Sequence, residues 1–367
     1  MPKYITSSLY NGLPVEKSRN VLTNIAAPSE ASQSEADFPL IGDAGGRPLV
    51  AVAGPTGSGK SGLALEIAAA FGGEVVNCDS LQVYRYFDIG TAKLPLEDRR
   101  GIPHHLMDIA NPNELFTAGE YARLARAAIA EISGRGRLPV VAGGTGFYLR
   151  ALLDGLFEGP VRNQTLRDRL AVREARRPGS LHRLLRRFDP ESAARIHAND
   201  IPKVTRAVEV CLVTRRPVSE AYREGRDALR GYRTLKIGLS PDRDALYRSL
   251  DVRCAAMFES GLMDEVKRIL AMGYPSASKP FESHGYKQAL QWLNGELSPK
   301  EAVFYAQRNT RNYAKRQMTW FRKEADMEWL KGFGDVVEPH ALERVRRFLG
   351  RTIKSNASSG GRCDPVL

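Results

Sequence analysis

The sequence predicts an α/β fold: a parallel sheet with helices on both faces, interrupted by a helical insertion. Three observations predict it. Short apolar runs alternate with helical stretches, a glycine-rich loop joins the first run to the first helix, and Arg-rich helical sequence fills the middle of the chain. With 367 residues, 43% of them hydrophobic, the chain suits one large domain or two moderate ones.

Residues 1–46 are rich in Ser, Ala, Asn, Pro and Gly without an apolar period. Their three basic and five acidic residues complete the composition of a disordered extension. Leu49–Ala53 is a buried strand ending in glycine. Lys60–Phe71 is an Ala/Leu-rich helix closed by Gly72-Gly73. Val75–Cys78 and Leu138–Ala142 are further strands, each followed by Asp-Ser or Gly. From 162 to 233 the chain carries 18 Lys+Arg against 9 Asp+Glu and almost no β-branched runs, which marks the insertion. Leu235–Leu239 returns to the sheet, and 246–349 reads as helical. The expected division is a core of 47–161 plus 234–350, an insertion at 162–233, and a disordered tail at 351–367.

The net charge of +12 excludes an acidic solvating protein and directs attention to polyanionic partners. Cys78, Cys211, Cys254 and Cys363 show no zinc-finger or disulfide spacing, which fits a reducing compartment. No apolar run reaches membrane-spanning length, and the first residues lack a signal pattern. The expectation is a soluble, cytoplasmic protein with no membrane association and no dimer seam, hence a monomer.

Gly54-Pro55-Thr56-Gly57-Ser58-Gly59-Lys60-Ser61 fits GxxxxGK(S/T) between a strand and a helix. Glycines let backbone N–H groups converge on an anion, the helix terminus adds partial positive charge, and Lys60 adds a full one. The Ser61 hydroxyl suits Mg²⁺. The fold class is therefore P-loop NTPase-like, and the ligand carries a diphosphate or triphosphate. ATP, GTP and other diphosphates all remain open, although the guanine-selecting Asn-Lys-x-Asp motif is absent.

Asp79 follows the second strand, and strand ends in such a sheet share one crevice. It is either a working carboxylate beside the phosphate loop or a helix cap or metal-shell group. Thr145, at the end of the third strand, faces the same choice between crevice and helix cap. Residues 308–323 hold Arg308, Arg311, Lys315, Arg316, Arg322 and Lys323 with no acid, interleaved with Tyr313, Trp320 and Phe321. That composition suits an RNA surface, or a helix with a solvated basic face and an aromatic core face.

Together GPTGSGKS, Asn77–Lys93 (NCDSLQVYRYFDIGTAK), Pro103–Ile109 (PHHLMDI), Val140–Leu153 (VVAGGTGFYLRALL) and AKRQMTWFR at Ala314–Arg322 resemble the tRNA dimethylallyltransferase family. The likeness runs from about Leu49 to Leu330. It implies that the P-loop holds dimethylallyl diphosphate, with Mg²⁺, and that the dimethylallyl group moves to N6 of adenosine at tRNA position 37. The family's catalytic positions fall on Asp79, Thr145 and Lys60. Its positions against the anticodon stem-loop fall on Asp79, Ser80, Leu81 and Gln82, on Thr145 and Arg167, and on Pro202, Lys203, Val204, Thr205 and Arg206. They continue at Gly285, Tyr286 and Lys287, then at Lys315, Arg316, Gln317, Met318, Thr319, Trp320, Phe321 and Arg322. The chain departs from the pattern at His284, where many members carry an aliphatic residue, and a buried, hydrogen-bonded histidine is expected there. The rival readings are a P-loop kinase of a small molecule and a nucleotide-regulated RNA-binding protein.

Overall fold

The computed structural model describes residues 46–357 apart from 158 and 224, with side chains as far as residue 350. The predicted extension therefore lies outside the described residues, save for Gly46.

Six strands form one all-parallel sheet: β1 (Arg47–Ala53), β2 (Gly73–Asn77), β3 (His104–His105), β4 (Leu138–Gly143), β5 (Tyr232–Leu239) and β6 (Met327–Leu330). Their order is β3-β2-β4-β1-β5-β6, with β1 central between β4 and β5. Alternation along β1 sorts the layers. Val50 and Val52 face α1 (Lys60–Ala70), whereas Leu49, Ala51 and Ala53 face α2 (Ala118–Gly134) and α3 (Gly146–Leu153). Both faces are dry, so the strands are nearly continuous apolar runs, as a doubly covered parallel sheet requires. The predicted α/β sheet with helices on both faces is borne out. The reading of 246–349 as wholly helical is not, because β6 joins the sheet edge beside β5. Its four residues are too short to show a period.

Between β4 and β5 the chain forms α4 (Gln164–Arg176), α5 (Ser180–Phe188), α6 (Pro190–Arg195), α7 (Ile201–Thr214) and α8 (Val218–Arg223). These helices close their own apolar cluster around Leu170, Leu181, Leu185, Val204, Val208 and Val218. The buried Asp189 ties them. Its carboxylate accepts from Ser192 N at 2.9 Å, capping α6, and from Ser219 N at 2.7 Å in α8.

Glu209, fully buried on α7, holds the first and fourth of these helices in register. It accepts two bonds from Arg167 (3.0 and 2.7 Å), one from Arg206 (2.7 Å) and one from Asn163 N (2.8 Å). Burial raises its pKa, but these donors outweigh it and hold the carboxyl at about 2. Glu209→Ala should therefore lower stability by about 3 kcal/mol, the low end for a broken buried pair because both arginines keep some water. Urea unfolding measures it.

After the sheet's fifth strand come α9 (Arg243–Glu259), α10 (Leu262–Ala271), α11 (Tyr286–Leu293), α12 (Pro299–Phe321) and α13 (Gly334–Ala357). Helix α12 starts at a capping box in which Ser298 and Glu301 satisfy each other's backbone N–H groups. The backbone of α13 stays helical to Ala357, beyond the boundary expected at 350.

Candidate active site

The P-loop closes the end of β1 and opens α1. Gly57 and Gly59 have φ of 76° and 82°, a region that side chains disfavour, so the loop can curl with its amides inward. Its back is held by Gly334 N, which donates to Ser58 O at 2.8 Å from the start of α13. Lys60 reaches back to Pro55 O at 3.3 Å. Desolvation lowers its pKa to about 8, with Asp79 opposing and Arg253 adding to the fall. Ser61 is exposed in the first turn of α1.

Beside the loop, β2 and β4 end side by side. A Cβ at Gly143 would lie 1.9 Å from Cys78 O, so only glycine lets the two turns meet. Cys78 N donates to Ala142 O at 2.8 Å, and Thr145 N to Cys78 O at 3.2 Å. The turn is set by side chains: Asn77 Oδ1 accepts from Asp79 N (3.1 Å) and Asp79 Oδ1 from Leu81 N (2.9 Å). Thr145 stands at the N-cap of α3 but does not cap it. Its hydroxyl accepts from Ser80 N at 3.0 Å. For both Asp79 and Thr145 the helix-cap alternative thus gives way to a shared turn at the crevice.

Asp79, Thr56 and Leu81 line a solvent-open cleft of about 660 Å³ whose far wall is Leu250, Cys254, Met257, Phe258 and Leu262. Arg253 stands in the same cleft and donates to Thr56 Oγ1 at 2.7 Å. Nothing in the sequence marks Arg253, because it lies in mid-helix far from any motif. On the other side of α12 a larger cleft of about 1200 Å³ opens at Pro55, with Arg243, Lys315 and Arg322 on its rim.

The residues assigned to RNA by resemblance divide. Pro202, Lys203, Lys287, Lys315, Arg316, Thr319 and Arg322 are exposed, and Ser80, Leu81, Gln82, Thr205 and Met318 are half-buried. Gln82 fixes its own loop by donating to Thr91 O at 3.1 Å. Half-buried Trp320 lies under the Arg150 guanidinium, 4.6 Å from the ring centroid. Buried Gly285 lines the cleft. Four assignments need correction, since the side chains of Val204, Tyr286, Gln317 and Phe321 are buried. Tyr286 accepts from Gly90 N at 3.0 Å and donates to Glu265, bracing the 88–90 loop. Arg167 and Arg206 are half-buried and share one carboxylate, Glu209, so the trio keeps a net positive charge. His284 is half-buried, lines the cleft and packs on Tyr313 at 5.3 Å, a ring contact in place of the expected hydrogen bond.

Fold and cradle define a P-loop α/β protein with a helical segment set into its sheet. The IPP transferase family profile matches residues 82–324. A tRNA dimethylallyltransferase of Solibacter usitatus is 73% identical over 83% of this chain and all of its own length. That of Koribacter versatilis is 55% identical over 78% of this chain and 94% of its own. The solved full-length tRNA isopentenylpyrophosphate transferase of Bacillus halodurans shares 36% identity and a TM-score of 0.62, covering 84% of this chain and 98% of that one. A eukaryotic dimethylallyltransferase solved acting on tRNA shares 32% identity and a TM-score of 0.66, over 77% and 73%. The chain belongs to the tRNA dimethylallyltransferase family of IPP transferases. Among the described residues no helix is long and apolar enough to cross a membrane.

Proposed function

We propose that this enzyme transfers a dimethylallyl group from dimethylallyl diphosphate to N6 of adenosine at position 37 of tRNA, releasing diphosphate. The observation that carries the reading is one cleft lined together by Thr56 of the P-loop with Arg253, by Asp79, and by an apolar wall of Leu250, Met257, Phe258 and Leu262. A diphosphate, a short hydrocarbon and an adenine amine each find a matching surface there. A kinase of a small molecule has no use for the apolar wall, and the family relationship does not favour it.

In this reading the carbon–oxygen bond to diphosphate breaks as the adenine nitrogen–carbon bond forms. Charge develops on the leaving oxygen, and Lys60, Arg253 and the amides of Gly57, Gly59, Lys60 and Ser61 stand ready to stabilise it. The adenine amine is a weak nucleophile because its lone pair is delocalised. Asp79 takes its proton, and the Thr145 hydroxyl orients the base. The base leaves its stack to enter. The described residues hold no cluster of three His, Cys, Asp or Glu side chains suited to a metal. Mg²⁺ would be held by the Ser61 hydroxyl together with the diphosphate and water, the usual pattern for Mg²⁺ on phosphates. When bound, it neutralises part of the diphosphate charge.

RNA approaches over the exposed face of α12 and over α4, on a monomer in the cytoplasm. Arg169, Arg173 and Arg176 recur at helical spacing on α4, are exposed, and make no salt bridge among the described residues. They offer the insertion's more exposed phosphate contacts, beside the half-buried Arg167 and Arg206. Changing all three to Ala should reduce the slope of log affinity against log salt by about 2 for an anticodon stem-loop, with donor KM unchanged. Filter binding measures it, and an unchanged slope would remove α4 from the interface. The reading as a whole is tested with labelled dimethylallyl diphosphate and unmodified tRNA. Label should enter RNA, only with a divalent cation present, and excess ATP should not supply a substitute donor.

A further inference from the structure

Gln317 sits on α12 within the most basic stretch of the chain, yet its side chain is only 5% exposed. Its Oε1 accepts from Thr56 N at 2.8 Å, and its Nε2 donates to Gly144 O at 2.8 Å. Reversing the amide would set donor against donor and acceptor against acceptor, so its orientation is fixed. A Cβ on Gly144 would lie 2.3 Å from Nε2, which shows how closely the loop is drawn in.

Each end of this bridge leads to a working group. Thr56 belongs to the P-loop, and its hydroxyl accepts from Arg253. Gly144 precedes Thr145, whose hydroxyl holds Ser80 N beside Asp79. One amide therefore spans the donor loop and the acceptor turn, which are far apart in sequence. The Thr56 N–H, spent on Gln317, is not available to phosphate. On the same helix Lys315, Arg316, Thr319 and Arg322 face solvent.

We propose that Gln317 is a positioning residue that sets the distance between the diphosphate and the attacking adenine. The proposal rests on the transferase reading above. It touches no substrate and acts through Thr56 and Gly144. A misplacement of about 1 Å between reacting groups can cost about 10²-fold in rate.

Two variants test it. Gln317→Met fills a similar volume with neither hydrogen bond. It should lower kcat about 10²-fold while donor KM and stem-loop affinity stay within about threefold of wild type. Gln317→Glu keeps an acceptor for Thr56 N but, while ionised, repels Gly144 O. On protonation its O–H can donate to that carbonyl, so its deficit relative to wild type should shrink as pH falls. Thermal unfolding of both variants separates this from simple loss of fold, and the pH series decides even if the Met variant folds poorly. A Met variant with wild-type kcat, a loss confined to KM, or a Glu deficit flat with pH would each overturn the proposal alone. Failure of the wild-type enzyme to transfer the group would overturn the transferase reading and the proposal together.

Discussion

Asp79→Asn should retain tRNA binding and donor binding but lose about 10²–10⁴-fold in kcat, the range typical of general-base assistance. The substitution is chosen because Asn keeps an Oδ1 that can accept from Leu81 N, the bond that shapes the turn. Ser80 N still meets the Thr145 hydroxyl, so the acceptor side of the cleft stays built. What disappears is the capacity to take the proton from the adenine amine. Single-turnover rates against stem-loop affinity separate the two effects. A loss that appears in affinity alone would make Asp79 an RNA anchor and not a base.

Lys60→Ala should cost about 10²–10³-fold in kcat/KM for the donor, because the lysine meets both the bound diphosphate and the charge that grows on it as it leaves. The depressed pKa gives the effect a pH signature. Below about 8 the amine is charged in the free enzyme, and above it the charge is lost. Donor kcat/KM should thus be level at lower pH and fall as pH rises through about 8. A bound diphosphate favours the charged amine, so the break in kcat itself should move to higher pH. Lys60→Arg, less active because its geometry differs, should lose the break near 8 since guanidinium stays charged. A wild-type profile without that break would contradict the account of Lys60.

Much of this was legible in the sequence where local rules act. The β1 apolar run, the glycine spacing of the P-loop and the Asp-Ser after β2 are each dictated by backbone geometry, and they place Lys60 and Asp79 without any knowledge of packing. Long-range pairing was not legible. β3, with two residues, and β6, with four, are strands only because a neighbour's edge accepts them. Arg253 enters the site from the middle of α9, and its Thr56 partner is not visible in its neighbours. Arg167 and Arg206 were placed against RNA by the family resemblance alone. Glu209 pairs with Arg206 one turn earlier on α7, a spacing that helical period offers, whereas its pairing with Arg167 becomes apparent only when α4 packs on α7. For α12 the helical period already separates an outward row (Asn312, Lys315, Thr319, Arg322) from an inward one (Ala314, Gln317, Phe321). Applied to the motif, that period would have moved Gln317 and Phe321 off the RNA face.

The central claim is that one cleft joins an allylic diphosphate to an adenine. Its most direct test is nucleoside analysis by mass spectrometry of an unmodified tRNA anticodon stem-loop after incubation with the pure enzyme, dimethylallyl diphosphate and Mg²⁺. The account predicts one dimethylallyl group on N6 of the adenosine at position 37, with one diphosphate released for each. An unmodified stem-loop, or phosphate transferred from ATP to a small molecule by the same preparation, would contradict it.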